Sequence, residues 1–213
     1  MKFQANSMQK IWIELLEFSL DGAANGRGES TVYERTNVLL TLQRPFKDIS
    51  DPIRQLCVRH EWIYPDLHEL RSIMLEKNSS PHYMYSYANR LFAYHKSIDQ
   101  INSYVIPLLK TDPTSRRACI TLIDPQRDEF ENTQFFPGIT QIQFQIRAEA
   151  LIVSATIRSC DAFLGLPANF FQLKCLGDYI AAELGISLGE ISVFCANVHV
   201  YEKMLTEIKK YLK

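Results

Sequence analysis

The segment ALIVSATIRSCDAFLGLPAN, Ala150 to Asn169, constrains the fold more than any other stretch of this chain. Leu151, Val153, Ala155 and Ile157 alternate with Ile152, Ser154 and Thr156, the period of two expected of a strand whose successive side chains leave opposite faces. The run stops at Arg158 and Ser159, so a guanidinium and a hydroxyl stand at a strand end, a pair suited to a phosphate. Asp161, Gly165, Pro167 and Asn169 then alternate with Phe163, Leu164 and Leu166, which reads as a turn from strand into helix with polar groups set in it. A helix starting near Asn169 would aim its first amides at a ligand.

The flanking segments follow similar patterns. Ile139 to Arg147 carries Ile142, Phe144 and Ile146 on one face, and Ala148 with Glu149 forms the turn of a hairpin into the opening stretch. Phe170 to Leu184 is a helix with Leu173, Leu176, Ile180 and Leu184 on one side, stopped by Gly185; Gly177 inside it implies close packing against a sheet. Glu190 to Tyr201 reads as the last strand and Met204 to Leu212 as a short amphipathic helix. Upstream, Ile11 to Leu20 suits a buried strand or short helix, DGAANGRGES a turn or loop, and Thr31 to Leu42 a strand with Val32, Val38, Leu40 and Leu42 in the core. Pro45 to Lys77 is mainly helical, broken by Pro52 and Pro65, with Trp62 and Tyr64 as packing residues. Ile98 to Lys110 has helical spacing, with Pro107 bending or shortening its last turn. Asp112 and Pro113 open a turn, Ala118 to Ile123 a strand, and Asp124 to Phe136 a polar loop.

The 213 residues, 46% hydrophobic and 22% charged, fit a single domain spanning 1–213. A net charge of −1 argues against a general binder of nucleic acid or acidic membrane, so phosphate recognition falls to local arginines. Cys57, Cys119, Cys160, Cys175 and Cys195 are odd in number and form no CxxC pair, which indicates neither a disulfide framework nor a metal site. The N-terminal MKFQANSMQKIWIELLEF has no cleavage pattern, and no apolar run reaches membrane-spanning length, so the expected address is cytoplasmic. Arg116 and Arg117 sit together at a strand's mouth, and adjacent strand residues point to opposite faces unless the strand has only just begun. His199 and Tyr201, two apart on a strand, face the same way and suit a shared sugar hydroxyl, or equally a half-buried pair on a sheet face. Asn169 offers a donor and an acceptor and so matches the N3 to O4 edge of uracil, with cytosine or a purine lactam open to a flipped amide.

RSCDAFLGLPAN resembles the nucleotide-binding segment of the thymidylate synthase family. DPTSRRA (Asp112 to Ala118) is similar to that family's paired-arginine motif, HVY (His199 to Tyr201) to its sugar-binding motif, and IDQI (Ile98 to Ile101) to the helix before the arginine pair. The resemblance implies an α+β, two-layer fold: a large mixed or antiparallel twisted sheet, helices on one face and the other face used for dimerisation. It implies a homodimer in which Arg116 and Arg117 reach across to the partner's phosphate, beside Arg158 and Ser159. It assigns Asp161 to the pterin of a folate, 5,10-methylenetetrahydrofolate in the family, and Gly165 to close packing against that cofactor. More faintly, Arg35 resembles an N-terminal phosphate-binding arginine or else a surface arginine. Glu69, in an HEL triplet, matches a proton-relay glutamate or else a solvated helix face. The aromatic run from Ser79 to Tyr94 falls where the family builds a cavity wall or, equally, a core.

One departure outweighs these agreements. The family's nucleophilic cysteine follows a proline five residues before the glutamine of a QF pair; Gln143 and Phe144 are that pair, and five residues before Gln143 stands Gly138. Arg158, twenty residues beyond Gly138, confirms the spacing, and no cysteine lies between Cys119 and Cys160. A base attacked by no thiolate at C6 must bring its own electron density, as an amino- or hydroxy-substituted pyrimidine, an exocyclic amine or a deazapurine does. Three readings stand at this point. One is a folate-dependent one-carbon transferase acting on a modified nucleoside 5′-monophosphate without an enzyme thiol. Another is a catalytically silent nucleotide-binding homodimer, and the third a different reaction on the same nucleotide.

Overall fold

The computed structural model describes residues 1–27, 30–77, 86–131 and 136–212. In chain order the elements are β1 (Lys2–Ala5), α1 (Met8–Leu20), β2 (Ala23–Arg27), β3 (Ser30–Gln43), α2 (Asp51–Val58), α3 (Leu67–Leu75) and α4 (Tyr87–Phe92). A π-helical turn, Ile101–Val105, leads into α5 (Ile106–Thr111), followed by β4 (Cys119–Thr121) and a second π-helical turn, Gln126–Glu131. Then come β5 (Ile139–Arg147), β6 (Ala150–Ile157), β7 (Cys160–Asp161), α6 (Gly165–Leu184), β8 (Ser187–Tyr201) and, after a short 3-10 turn, α7 (Leu205–Ile208).

Eight strands make one mixed sheet in the order β1-β3-β8-β6-β5-β4, with β2 added on β3 and β7 on β8. The β5–β6 hairpin has the expected two-residue turn: Arg147 faces Ala150, and Ala148 and Glu149 take φ of 47° and 58°, both positive as the strand twist demands. Pairing of β6 with β8 is parallel, so α6 is the crossover between them. Val38, Leu40 and Leu42 of β3, Ile191, Val193 and Cys195 of β8, Val153, Ala155 and Ile157 of β6 and Phe144 of β5 lie on one face. They form a core with Met8, Trp12 and Leu15 of α1 and Phe170, Leu173 and Leu176 of α6. Gly177 is where α6 meets the sheet, since an added Cβ would lie 2.8 Å from Leu188 Cδ1 and 3.2 Å from Val153 Cγ2. The other sheet face mixes Thr41, Ser154, Thr156, Ser192 and Gln143 with Leu39, Ile152 and Phe194, the last 38% exposed.

A line of broken pairing crosses the sheet. Ile157 pairs with Cys195 and Cys160 with Val198, leaving Arg158 and Ser159 beside Ala196 and Asn197 without ladder partners between those two strands. On the far side of β8, Asn37 has φ of 56° and is skipped between Thr36 and Val38, and β5 shifts register between Ile139 and Gln141. Before the line, β8 buries Val193 and Cys195; beyond it, Val198 and Val200 are buried while Asn197, His199 and Tyr201 are half-buried. This one-residue change of phase puts Val198 and Val200 in the core, Val198 pairing with the Arg35 that reaches α1, and turns the polar side chains of the strand end to the opposite face.

Of the two alternatives for Ile11 to Leu20 the helix is the one found, capped by Ser7, whose Oγ accepts from Lys10 N–H. Other local expectations are corrected. The Gly-rich stretch contains β2, because an adjacent strand supplies ladder partners from Glu34 back to Ser30 that outweigh its weak local preference. Pro107 stands in the first turn of α5, after the wide π turn, where its missing N–H costs nothing. The polar stretch after Ile123 contains the second π-helical turn, and the terminal helix is only four residues long. The aromatic run falls partly on 78–85, outside the described residues; α4 begins just after it, with Ser86 Oγ accepting from Asn89 N–H.

Arg90 of α4 fixes that second π turn. Its guanidinium donates to Asp128 Oδ1 (2.6 Å) and Oδ2 (3.0 Å) and to the Leu122 carbonyl (3.3 Å), and Asp128 Oδ2 also accepts from Asp124 N–H (2.7 Å). Both partners are buried. Removing one side of a buried pair leaves the other charge uncompensated, so Asp128→Ala is expected to lower unfolding free energy by about 3–5 kcal/mol in urea titration. Lys10→Ala, in the exposed pair with Glu14, is expected to change it by less than about 0.5 kcal/mol.

Candidate functional site

The unpaired backbone at the sheet break is taken up by the loop before β5. Arg158 N–H donates to the Gly138 carbonyl (3.1 Å), its Nε to Pro137 O (3.0 Å) and its Nη2 to Phe136 O (3.0 Å), with the guanidinium 5.1 Å from the Phe136 ring centre. One arginine thus holds both the strand end and the Gly138 loop. Two of its five N–H donors are spent on carbonyls, leaving three for an anion.

Ser159 lies next along the same break. Its Oγ is 3.3 Å from Asn197 Oδ1 and 3.3 Å from His199 Nδ1. Asn197 Oδ1 can only accept, so Ser159 donates there and accepts from Nδ1–H of His199. Tyr201 meets the His199 ring edge-on, centroids 5.2 Å apart.

Asp161 of β7 pairs with His199 across the ladder. Its Oδ1 accepts from Phe163 N–H (2.9 Å) and Leu164 N–H (3.4 Å), so the carboxylate caps the turn into α6. Burial pushes the Asp161 pKa above the ordinary carboxylate value, against the Phe163 amide, His199 and the Leu164 amide, which pull it down. Gly165 packs over this carboxyl: an added Cβ would be 3.4 Å from Asp161 Cβ. The helix begins at Gly165 and not near Asn169, so the Asn169 N–H is already inside the helix. Asn169 sits one turn on, above Gly165 on the same helix face. Among the described residues its side-chain amide makes no hydrogen bond.

Over Gly138 stands Tyr87, a member of the aromatic run from Ser79 to Tyr94 that the sequence does not single out within it. The Tyr87 hydroxyl accepts from Ile139 N–H (3.2 Å) and is the one described group within 4 Å of the place a Gly138 Cβ would take, at 3.4 Å. No described thiol takes over that position as a nucleophile. A hydrogen bond with Cys195 and burial hold the Cys160 thiol well above its usual pKa, and Cys119 Sγ accepts from Gln141 at the β4 edge.

Other candidates lie apart. Arg116 and Arg117 precede β4 and are exposed, without side-chain partners among the described residues; Gln143 Nε2 reaches the Arg116 carbonyl (3.2 Å) on the open sheet face. Arg35 is turned onto α1, its Nε donating to Phe18 O (2.9 Å) and its guanidinium 4.3 Å over the Phe18 ring. Glu69 lies in the first turn of α3, half-buried, its N–H capped by Asp66, while the adjacent Leu70 clusters with Ala168 beside Asn169. The break therefore gathers Arg158, Ser159, Asp161, Gly165, Asn169, His199 and Tyr201 with Gly138, and leaves Arg35, Glu69, Gln143 and the arginine pair outside that group. Tyr87 and Asn197 have only ordinary signals in sequence, a helix-start tyrosine and a strand asparagine. Among the described residues no cluster of three or more His, Cys, Asp or Glu side chains could hold a metal, and no helix is long and apolar enough to cross a membrane.

Comparison with known proteins bears on this arrangement. A family model described as thymidylate synthase matches residues 30–213. A protein of Methanothermobacter marburgensis named "Putative thymidylate synthase" is 28% identical over 213 residues, covering 95% of this chain and 93% of its own length. A protein of the same name from Methanocaldococcus jannaschii is 32% identical over 61% of each chain. The "Thymidylate synthase" of Listeria monocytogenes is 30% identical over 55% of this chain and 36% of its own.

The raised Asp161 pKa has a definite sign. Its contribution to stability is fully present below the ordinary carboxylate value and lost as pH rises through the raised folded value. Asp161→Asn keeps an acceptor for the Phe163 amide and cannot ionise. Relative to wild type, the variant is expected to gain stability as pH rises from the ordinary carboxylate value through the raised folded value and to level off above it, read by urea unfolding at each pH. A difference that does not vary with pH contradicts the assignment.

Proposed function

This chain belongs to the thymidylate synthase family, and from that premise we propose that it binds a nucleoside 5′-monophosphate and transfers a one-carbon unit from a tetrahydrofolate to an electron-rich or modified base without an enzyme cysteine. The observation that carries the proposal is the continuity of Arg158, Ser159, His199, Asp161, Gly165 and Asn169 around Gly138, a position that has no thiolate.

In this reading Arg158 takes the phosphate with Ser159, whose hydroxyl proton turns from Asn197 Oδ1 to a phosphate oxygen, joined by Arg116 and Arg117 of a second copy, because arginine's planar fork makes paired charge-assisted bonds to phosphate oxygens. His199 and Tyr201, two apart on β8 and half-buried on one face, hold a sugar hydroxyl. Asn169 reads the base edge with its unspent amide. Gln143, whose Nε2 also donates to the Arg116 carbonyl, contacts the substrate, and Glu69, beside the start of α6, and Tyr201 take the catalytic proton steps.

The residues at Asp161 fit a folate. One carboxyl oxygen is held by two amides, the other is available to pterin N–H donors, and Gly165 removes the side chain that would bar close approach. A 5,10-methylenetetrahydrofolate, when bound, supplies carbon at the oxidation level of formaldehyde. Tyr87 and Arg158 border the Gly138 position and hold a polar wall beside the base. The nucleophilic carbon or nitrogen must come activated on the substrate itself, since nothing described here adds to the ring.

A second reading is a nucleotide-binding homodimer without catalysis. It is favoured by the engagement of Arg158 with the Phe136 and Pro137 carbonyls, which serves a structural end in the absence of ligand. Calorimetry with a panel of nucleoside monophosphates, each with and without tetrahydrofolate, separates the two. Nucleotide affinity raised by folate supports transfer; affinity indifferent to folate supports the silent dimer.

Arg158→Ala is expected to weaken nucleotide binding by at least about a hundredfold, roughly 3 kcal/mol; unchanged affinity removes the site assignment. The shared site is tested by co-expression. Arg158→Ala chains and chains carrying both Arg116→Ala and Arg117→Ala each lack an intact site as homodimers, whereas their mixture is expected to recover about a quarter of wild-type sites. No recovery contradicts donation in trans.

A further inference from the structure

Phe163 and Leu164 supply the two amides that hold Asp161, and the turn that carries them is itself clamped from both ends of the chain. Trp12 of α1 donates its indole N–H to the carbonyls of Ala162 (3.0 Å) and Phe163 (3.1 Å) and stacks on the Phe163 ring at 6.0 Å and 14°. Tyr211 closes the other side. Its ring meets Trp12 edge-on at 5.0 Å and Phe163 edge-on at 5.7 Å, with the Arg59 guanidinium 4.6 Å from its centre. Its hydroxyl donates to Glu61 Oε2 (2.5 Å), in the connection between α2 and α3. Burial and the Glu61 carboxylate push the ionisation of this hydroxyl up, so it remains a donor through the neutral range.

Trp12 and Phe163 are fully enclosed, and Tyr211 is the half-buried member that shuts them in. Edge-on aromatic contacts have a preferred geometry as well as an area, so the ring orients Phe163 as well as covering it. The ring is held in turn by Arg59 and Glu61 of a separate segment.

We propose that Tyr211 is a positioning residue of the candidate site: its ring clamps Phe163 against Trp12, and so fixes the two amides that aim the Asp161 carboxylate. The geometric part stands on these contacts alone. Its functional consequence, that Tyr211 governs affinity at the Asp161 end and not at the phosphate end, rests on the reading of Asp161 as facing a folate.

The test uses the full chain with Tyr211→Ala and Tyr211→Phe. Amide hydrogen exchange of the ligand-free protein is expected to quicken at Phe163 and Leu164 by at least about tenfold in Tyr211→Ala, while α6 beyond Asn169 and β8 keep their protection. Tyr211→Phe keeps the ring and is expected to stay within about threefold of wild type at those amides. Exchange unchanged at Phe163 and Leu164, or raised equally throughout α1, α6 and β8, overturns the proposal, because the side chain is then a bystander or a general core filler. With deoxyuridine 5′-monophosphate present, Tyr211→Ala is expected to weaken tetrahydrofolate binding about tenfold and nucleotide binding less than about twofold; equal loss of both overturns the functional consequence. If wild type itself takes up no folate with any nucleotide, the transfer reading fails, and the exchange result alone decides the role of Tyr211.

Discussion

The interruption of strand pairing between Ile157 and Cys160 is the constraint on which the rest of this structure depends. Buried backbone donors and acceptors must be paired, and a ladder that skips Arg158, Ser159, Ala196 and Asn197 leaves groups in want of partners. The Gly138 loop supplies one, through its carbonyl to Arg158 N–H, and Ser159, Asn197 and His199 satisfy each other through side chains. The same break shifts the buried phase of β8 by one residue. Val198 and Val200 thereby join the core, and Asn197, His199 and Tyr201 share the opposite face.

Around that break the protein uses charge sparingly and in defined places. Asp161 is buried at a cost that its two amide donors and His199 only partly offset, so its pKa stays high. Such a carboxylate is destabilising where it stands, the usual mark of a group kept for binding or chemistry and not for folding. The buried Arg90–Asp128 pair is of another kind. All its polar atoms described here are matched within the fold, and it ties the second π turn to the helix that begins with Tyr87. Tyr87 in turn reaches the backbone next to Gly138.

Membership in the thymidylate synthase family and a glycine at Gly138 are both facts of this chain. Their combination narrows the chemistry more than either alone. A thiol must be partly ionised to attack, and burial and the Cys195 contact oppose ionisation of Cys160. The carboxylate, imidazole and phenol groups near Gly138 can move protons or orient a ligand, but a ring that needs covalent activation finds no group here to provide it.

The sequence alone determined whatever is local in cause. Alternation wrote β5 and β6, Ala148 and Glu149 made their turn, Gly185 with φ of 70° ended α6, and Gly177 announced the close approach of that helix to the sheet. The run from Arg158 to Asn169 was legible because a strand, a turn and a helix follow in unbroken order. The tertiary structure decided what depends on partners distant in the chain. β2 exists because β3 pairs with it, α6 starts at Gly165 because Asp161 caps the turn before it, and Tyr87 matters because α4 packs on the Gly138 loop. Asn197 acquires its meaning only where the pairing breaks, and Tyr211 only where Trp12 and Phe163 meet it. The physical reason is the same throughout: periodicity and turn chemistry are properties of neighbours along the backbone, whereas a hydrogen-bond or ring partner is chosen by packing in space.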